Sequence, residues 1–136
     1  MGERASSVGD AYGGTLELLA SQLPLLGIRT HLLLGDDMAR LDAILSEGSE
    51  LVFLETPTNP TLEIFDIHAI AKMAHAHGAK LAVDNTFASP VNQNPLALGA
   101  DFVVHSCTKY LGGHSDLTAG ALMGATELLA PVWNWR

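Results

Sequence analysis

Apolar and polar positions along this chain switch between two periods. Over residues 15–26, Leu16, Leu19, Leu23 and Leu26 recur at three- and four-residue steps, which predicts one buried helix face, and Gly27 ends the pattern. Pro24 kinks this helix or ends it early. Residues 28–34 then read as a strand. Asp37 is a cap for a helix over 38–45, with Leu41, Ile44 and Leu45 on one face. The short continuous apolar run at 51–54 predicts a strand buried on both faces. It gives way to Glu55-Thr56-Pro57-Thr58-Asn59-Pro60, where two prolines forbid regular structure.

A second helix is expected from its Asp66 cap through His77, with Ile67, Ile70, Ala71 and Ala74 inward and Gly78 as its stop. A strand over 80–83 follows, then a loop around Pro90, a short helical turn over 95–98, and two more strands at 102–105 and 118–123. Strands separated by helices imply βαβ units with right-handed crossovers. The expected fold is therefore a layered α/β domain, a mostly parallel sheet with helices on both faces. No crossover helix separates the last two strands, which leaves the final one free to run antiparallel.

Composition narrows the partners more than the fold. With 136 residues and 48% apolar side chains there is room for one domain, and no stretch has the roughly 18 apolar residues of a membrane span. Seven basic against fifteen acidic residues, a formal charge of −8, argue against a nucleic-acid partner, which calls for a basic stripe. Cys107 is the single cysteine, so no internal disulfide forms, and a reducing, cytoplasmic setting is expected. The first residues lack a secretory signature. MGERAS fits the short pattern for N-myristoylation, but a start codon with a polar lead-in accounts for it as well.

Candidate chemistry gathers where strands end. In open α/β sheets ligands bind beyond the carboxyl ends of the strands. Glu55 and Asn59 follow the first of these ends, Asp84 and Asn85 the next, and His105, Ser106, Thr108 and Lys109 the third. Of the three lysines, Lys72 lies off the apolar helix face and Lys80 opens a strand at the opposite edge. Lys109 alone follows a buried strand at the ligand edge, ahead of Gly112-Gly113. A lysine partly withdrawn from water becomes nucleophilic, as Schiff-base chemistry requires. Asp84 closes the apolar run Leu81-Ala82-Val83, where a carboxylate is poorly solvated. Its commoner fate is a turn or a helix cap. An amine and an acid around one cleft nevertheless suit pyridoxal phosphate, an electron sink whose ring nitrogen stays protonated beside a carboxylate.

The stretch VDNTFASPVNQNPLALGADFVVHSCTKYLGGHSD resembles the core of the cystathionine γ-synthase/γ-lyase group of pyridoxal-phosphate enzymes, and ETPTNPTLEIFDI and AYGGT fit the same family in the same order. The resemblance covers roughly residues 10–125. It implies that Lys109 is the lysine that joins the cofactor and then shuttles protons, and that Asp84 partners the pyridine nitrogen. It makes Ser106 and Thr108 the hydroxyls that hold the phosphate and the loop before the lysine. Tyr12 becomes the aromatic ring that stacks on the cofactor and takes part in proton transfer, and Asn59 the amide near the ring hydroxyl, with Glu55 in support.

The resemblance further implies a transsulfuration enzyme of cysteine metabolism and methionine biosynthesis, acting on a small-molecule amino acid. It favours γ-replacement on an activated homoserine, with cystathionine γ-lyase-type elimination and O-acylhomoserine sulfhydrylation as the alternatives. Residues 1–136 would then be a partial cofactor-binding large domain of fold type I, lacking the family's N-terminal segment and C-terminal domain and forming a homotetramer or dimer at full length. A different reading is a cofactor-binding fragment without turnover.

Zinc is the rival chemistry for residues 105–116, since His105, Cys107, His114 and Asp116 are all possible ligands. Their spacing matches no common zinc signature, and no metal is expected. Nothing marks out a base for a Cys107 nucleophile, so it reads as a packing residue. His68, His75 and His77 fall on helix surfaces.

Overall fold

Six five-residue strands form one sheet in this computed structural model, which describes residues 3–33 and 39–134. They are β1 (Arg4–Val8), β2 (Arg29–Leu33), β3 (Leu51–Glu55), β4 (Lys80–Asp84), β5 (Phe102–Ser106) and β6 (Gly120–Gly124). Their order across the sheet is β2-β1-β3-β4-β5-β6. Every pairing is parallel except β5 with β6, where a short connection without a crossover helix lets the chain return antiparallel.

Register fixes the core. Leu33, Val8, Leu54, Val83 and Val103 are aligned neighbours in successive strands and make one buried row across five of them. Helices α3 (Leu41–Ser46) and α4 (Ile67–Ala76) cover that row with Leu41, Ile44 and Leu45 and with Ile67, Ile70, Ala71 and Ala74. Removing each leucine, isoleucine or valine of this core from water contributes about 1.5–3 kcal/mol, and each alanine less. The α4 cap is as expected, with the Ala69 amide donating to Asp66 Oδ1 at 3.0 Å.

The first helix is less regular than its leucine pattern. It begins as α1 (Gly13–Glu17), widens into a π turn over Leu18–Gln22 and finishes as α2 (Leu23–Leu25), packed on β2. Pro24 explains the widening, because it has no N–H to return to the preceding turn. The expected cap Asp37 and helix residue Met38 lie outside the described residues.

Three elements were not legible in the hydrophobic pattern. Strand β1 lies inside the sheet, between β2 and β3, yet reads as a polar lead-in, because Ser6 and Ser7 are buried by their small size rather than by hydrophobicity. Helix α5 (Ser89–Asn92) replaces the expected loop, and α6 (Thr126–Asn134) carries Pro131 inside it and buries none of its residues. The turn at Pro95–Leu98 falls where expected, as a 3₁₀ turn. No helix among the described residues is long and apolar enough to cross a membrane.

Candidate active site

Three strands end on a polar fifth residue: Glu55 on β3, Asp84 on β4 and Ser106 on β5. Glu55 aligns with Asp84, and Asp84 aligns with Val104, two residues before Ser106. Side chains alternate along a strand, so all three fall on one face at the carboxyl edge. The same alternation turns His105 to the other face, where it is buried at 3% exposure. The strand stops at Ser106, and His105 and Cys107 therefore do not continue as a ligand pair along it.

Beyond these ends lies a cleft of about 840 Å³ whose walls include Tyr12, Asn59, Asp84, Ser106, Thr108 and Lys109. The fold thus brings all six candidate residues together from four separate segments. Glu55, Thr86, Phe87, Tyr110 and Ser115 share the same walls.

Glu55 joins two of those segments. The Tyr12 amide, 43 residues away, donates to Glu55 Oε2 at 2.7 Å, and the Asn59 amide lies near enough to favour the charged form of this carboxylate. Burial pushes the Glu55 pKa upward; the Tyr12 amide pulls against it, the Asp84 charge adds to it, and the Asn59 amide again opposes it, leaving a net rise. Tyr12 also starts α1, its carbonyl accepting from the amides of Thr15 and Leu16 at 2.8 and 3.0 Å. Its ring is 59% exposed and lies so close over Gly14 that a Cβ there would come within 2.8 Å of it. In the loop after β3 the prolines remove donors and the threonines supply acceptors. Thr58 Oγ1 accepts from the Glu63 amide at 2.8 Å, and Thr56 Oγ1 from the Phe65 amide at 2.9 Å.

Thr86 links the second and third strand ends. Its hydroxyl accepts from the Ser106 amide at 2.9 Å and donates to Asp84 Oδ1, which also accepts from the Thr86 amide at 2.9 Å. Both bonds fall on Oδ1, so Oδ2 has no partner among the described residues. Sequence reasoning passed over Thr86, although a threonine two residues after an aspartate is the pattern of a local side-chain turn. On the buried side of the same loop, Asn85 Nδ2 donates to the Gln93 carbonyl at 3.0 Å and to His105 Nε2 at 3.4 Å. Gln93 returns bonds to Asn85 Oδ1 at 2.8 Å and to the Thr56 carbonyl at 2.9 Å. Burial lowers the His105 pKa, and the Asp84 charge only partly offsets this.

The lysine loop is clipped at both ends. Thr108 Oγ1 accepts from the Ala119 amide at 3.0 Å and donates to the Ala119 carbonyl at 3.3 Å. After Lys109 the Gly112 amide closes onto the Cys107 carbonyl at 2.7 Å, and a Cβ on Gly112 would collide with that oxygen. Lys109 itself has non-helical backbone angles between two helical turns. Its expected withdrawal from water does not hold: it is exposed, because the strand ends three residues earlier and the turn carries the side chain to the rim of the cleft. Its ammonium and the Ser106 hydroxyl have no partner among the described residues. Phe87 and Tyr110, both in the cleft wall, pack at a tilt with ring centroids 6.2 Å apart.

A mostly parallel α/β sheet with an amine, a half-buried acid, hydroxyls and an aromatic ring around one carboxyl-edge cleft defines a class of cofactor-dependent enzyme domains. The family model described as Cys/Met metabolism PLP-dependent enzyme matches residues 1–133. The chain belongs to this family. It is 44% identical over 126 residues to cystathionine gamma-synthase 1, chloroplastic, of Arabidopsis thaliana, covering 92% of this chain and 22% of that protein. It is 46% identical over 121 residues to a cystathionine beta-lyase of Lactococcus lactis subsp. cremoris, covering 89% and 32%. The crystal structure of cystathionine gamma-lyase from Lactobacillus plantarum complexed with L-serine superimposes with a TM-score of 0.90 at 42% identity, covering 98% of this chain and 35% of that one. The chain thus spans between a fifth and two fifths of the length of these relatives.

Proposed function

We propose that this chain supplies the cofactor-binding core of a pyridoxal-phosphate-dependent transsulfuration enzyme, with γ-replacement on an activated homoserine as its reaction. The observation that carries the reading is the cleft itself, whose unpartnered groups match the cofactor part by part. Lys109 offers a free amine for the aldehyde, Asp84 Oδ2 a free acceptor for the pyridinium, Ser106 a free hydroxyl for the phosphate and Tyr12 an exposed ring for stacking. Asn59 would serve the ring hydroxyl, and Thr108, bonded to Ala119, holds the loop before the lysine. Bound there, pyridoxal phosphate supplies an electron sink for charge at the substrate α-carbon. Lys109, exposed at the rim, would take the α-proton and return it further along the substrate, and the Tyr12 phenol in the same cleft would take part in the proton transfer.

The matched relatives include synthases and lyases at similar identity, which supports a second reading, elimination in place of replacement. Sulfhydrylation uses the same core. Cofactor binding without turnover is the reading of a different class, and it is compatible with the same match. Residues 1–136 are then a partial large domain. The single cysteine supports a cytoplasmic site, and the exposure of Leu25, Ile64, Val91 and Trp133 supports burial of these side chains in a homo-oligomer, a tetramer or dimer.

Titration with pyridoxal phosphate is expected to raise an absorbance band near the visible that borohydride fixes onto Lys109, and Lys109→Ala is expected to abolish the fixed label. A label on Lys72 or Lys80, or no band, would overturn the reading. A band that no sulfur amino acid or activated homoserine perturbs would select binding without turnover.

A further inference from the structure

Glu55 is the buried charged group of this site that the reading above leaves without a task. It is 5% exposed, and no cation among the described residues pairs with it. Its neighbour in register is a second carboxylate, Asp84. A carboxylate in such surroundings costs free energy that a neutral side chain of the same shape would not. What the position gains is a grip on two backbone amides. The Tyr12 amide at the start of α1 is held by a 2.7 Å bond, and the Asn59 amide in the loop after β3 lies near enough to favour the charged carboxylate as well. A carboxylate, which only accepts, suits two converging N–H groups. A glutamine offers one acceptor and sets its own N–H donors against the second amide.

We propose that Glu55 is a positioning residue, whose carboxylate ties the backbones of Tyr12 and Asn59 to the end of β3 and so presents both side chains to the cleft opposite Asp84 and Lys109. This rests on the pyridoxal-phosphate reading and adds a role exerted through backbone amides. Three observations agree with it. The two amides come from segments far apart in sequence, so no local turn holds them together. The Tyr12 ring is itself mostly exposed, and burial of the ring therefore does little to anchor it. The loop after β3 has its own threonine bonds to residues 63–65, and its Thr61 hydroxyl donates to Asp10 Oδ2 at 3.3 Å, but among the described residues only Glu55 accepts from the Tyr12 amide itself.

The test compares the wild-type chain with Glu55→Gln by amide hydrogen exchange and by cofactor titration. Exchange at Tyr12 and Asn59 is expected to quicken about tenfold in the variant, while the core amides of Leu54 and Val83 keep their rates. Affinity for pyridoxal phosphate is expected to weaken about tenfold, with borohydride still fixing the label on Lys109. Unchanged exchange at both amides would overturn the inference, and so would a uniform acceleration that includes Val83, which would make Glu55 a general structural residue. Unchanged affinity alongside a local change in exchange would overturn the link to the cofactor. If the wild-type chain gains neither band nor label, the cofactor reading fails, and the exchange rates still decide separately whether Glu55 holds the two backbones.

Discussion

The two ends of the central strands both bury carboxylates, under opposite electrostatic regimes. At the amino end, just before β5, Asp101 accepts from the Leu81 amide at 2.8 Å, from His75 Nε2 at 2.7 Å and from Lys80 Nζ at 3.0 Å. Burial pushes its pKa up, but these bonds outweigh burial and hold it below the usual carboxylate range. At the carboxyl end, Glu55 and Asp84 stand in register with no cation paired to either among the described residues, and the Glu55 pKa rises. The first arrangement is internally complete and ties α4 to two strands. The second leaves negative charge and a free acceptor facing a cleft, which suits a cationic group such as a pyridinium and costs the isolated fold stability. One end is built to hold the domain together, the other to receive something.

The sharpest way to break this contrast is Asp101→Ala. It strands the Leu81 amide and frees His75 and Lys80, and a loss of about 2–4 kcal/mol is expected in urea unfolding. Thr86→Val comes next, with an expected loss of about 1–2 kcal/mol, since it removes the acceptor of the Ser106 amide and a donor to Asp84. The Ser106 amide should also exchange faster.

Titration of stability with pH offers a subtler test. His105 has a lowered native pKa, so its contribution is full above its ordinary value near 6.5 and is lost as pH falls from there through the native value. Asp101 behaves likewise at lower pH, its contribution present above the ordinary aspartate range and lost as pH falls through its depressed value. Glu55 has the opposite sign, because its raised pKa lets the folded chain take up a proton before the unfolded one does, which favours the fold as pH falls. His105→Gln is therefore expected to flatten the loss of stability between about pH 7 and 5, as followed by thermal unfolding. The smallest effect is expected for Glu55→Gln, within about 1 kcal/mol at pH 7 and on the stabilising side, because it removes a buried charge while keeping one acceptor. A loss as large as that of Asp101→Ala would erase the distinction between the two ends.

Legibility of the sequence followed physical signal strength. Helix α4 was readable in full, because its cap, its inward face and its stop are all local. The apolar runs of β3, β4 and β5 stand out because interior strands of a parallel sheet are mostly apolar, although only β4 is buried on both faces while β3 and β5 leave alternate residues partly exposed. Strand β1 left no such mark: Arg-Ala-Ser-Ser-Val has no alternation, and its burial comes from lying between two other strands. Within the site, the residue types at strand ends and the family motifs drew attention to Lys109, Asp84, Tyr12, Asn59, Ser106 and Thr108. Thr86 stayed hidden because its importance lies in a bond to the Ser106 amide, 20 residues further on.

The sequence by itself determined the class of the domain, the strand ends that carry polar groups, and the motifs that place the chain among pyridoxal-phosphate enzymes. These are properties of period, residue type and order, and they survive without coordinates. Tertiary structure alone decided that β1 sits inside the sheet between β2 and β3, that Glu55 reaches the Tyr12 amide, and that Lys109 stands exposed at the rim while His105 turns to the buried face. Each of these depends on register and on which way alternate side chains point, quantities set by the pairing of strands distant in the chain and not by any segment read alone.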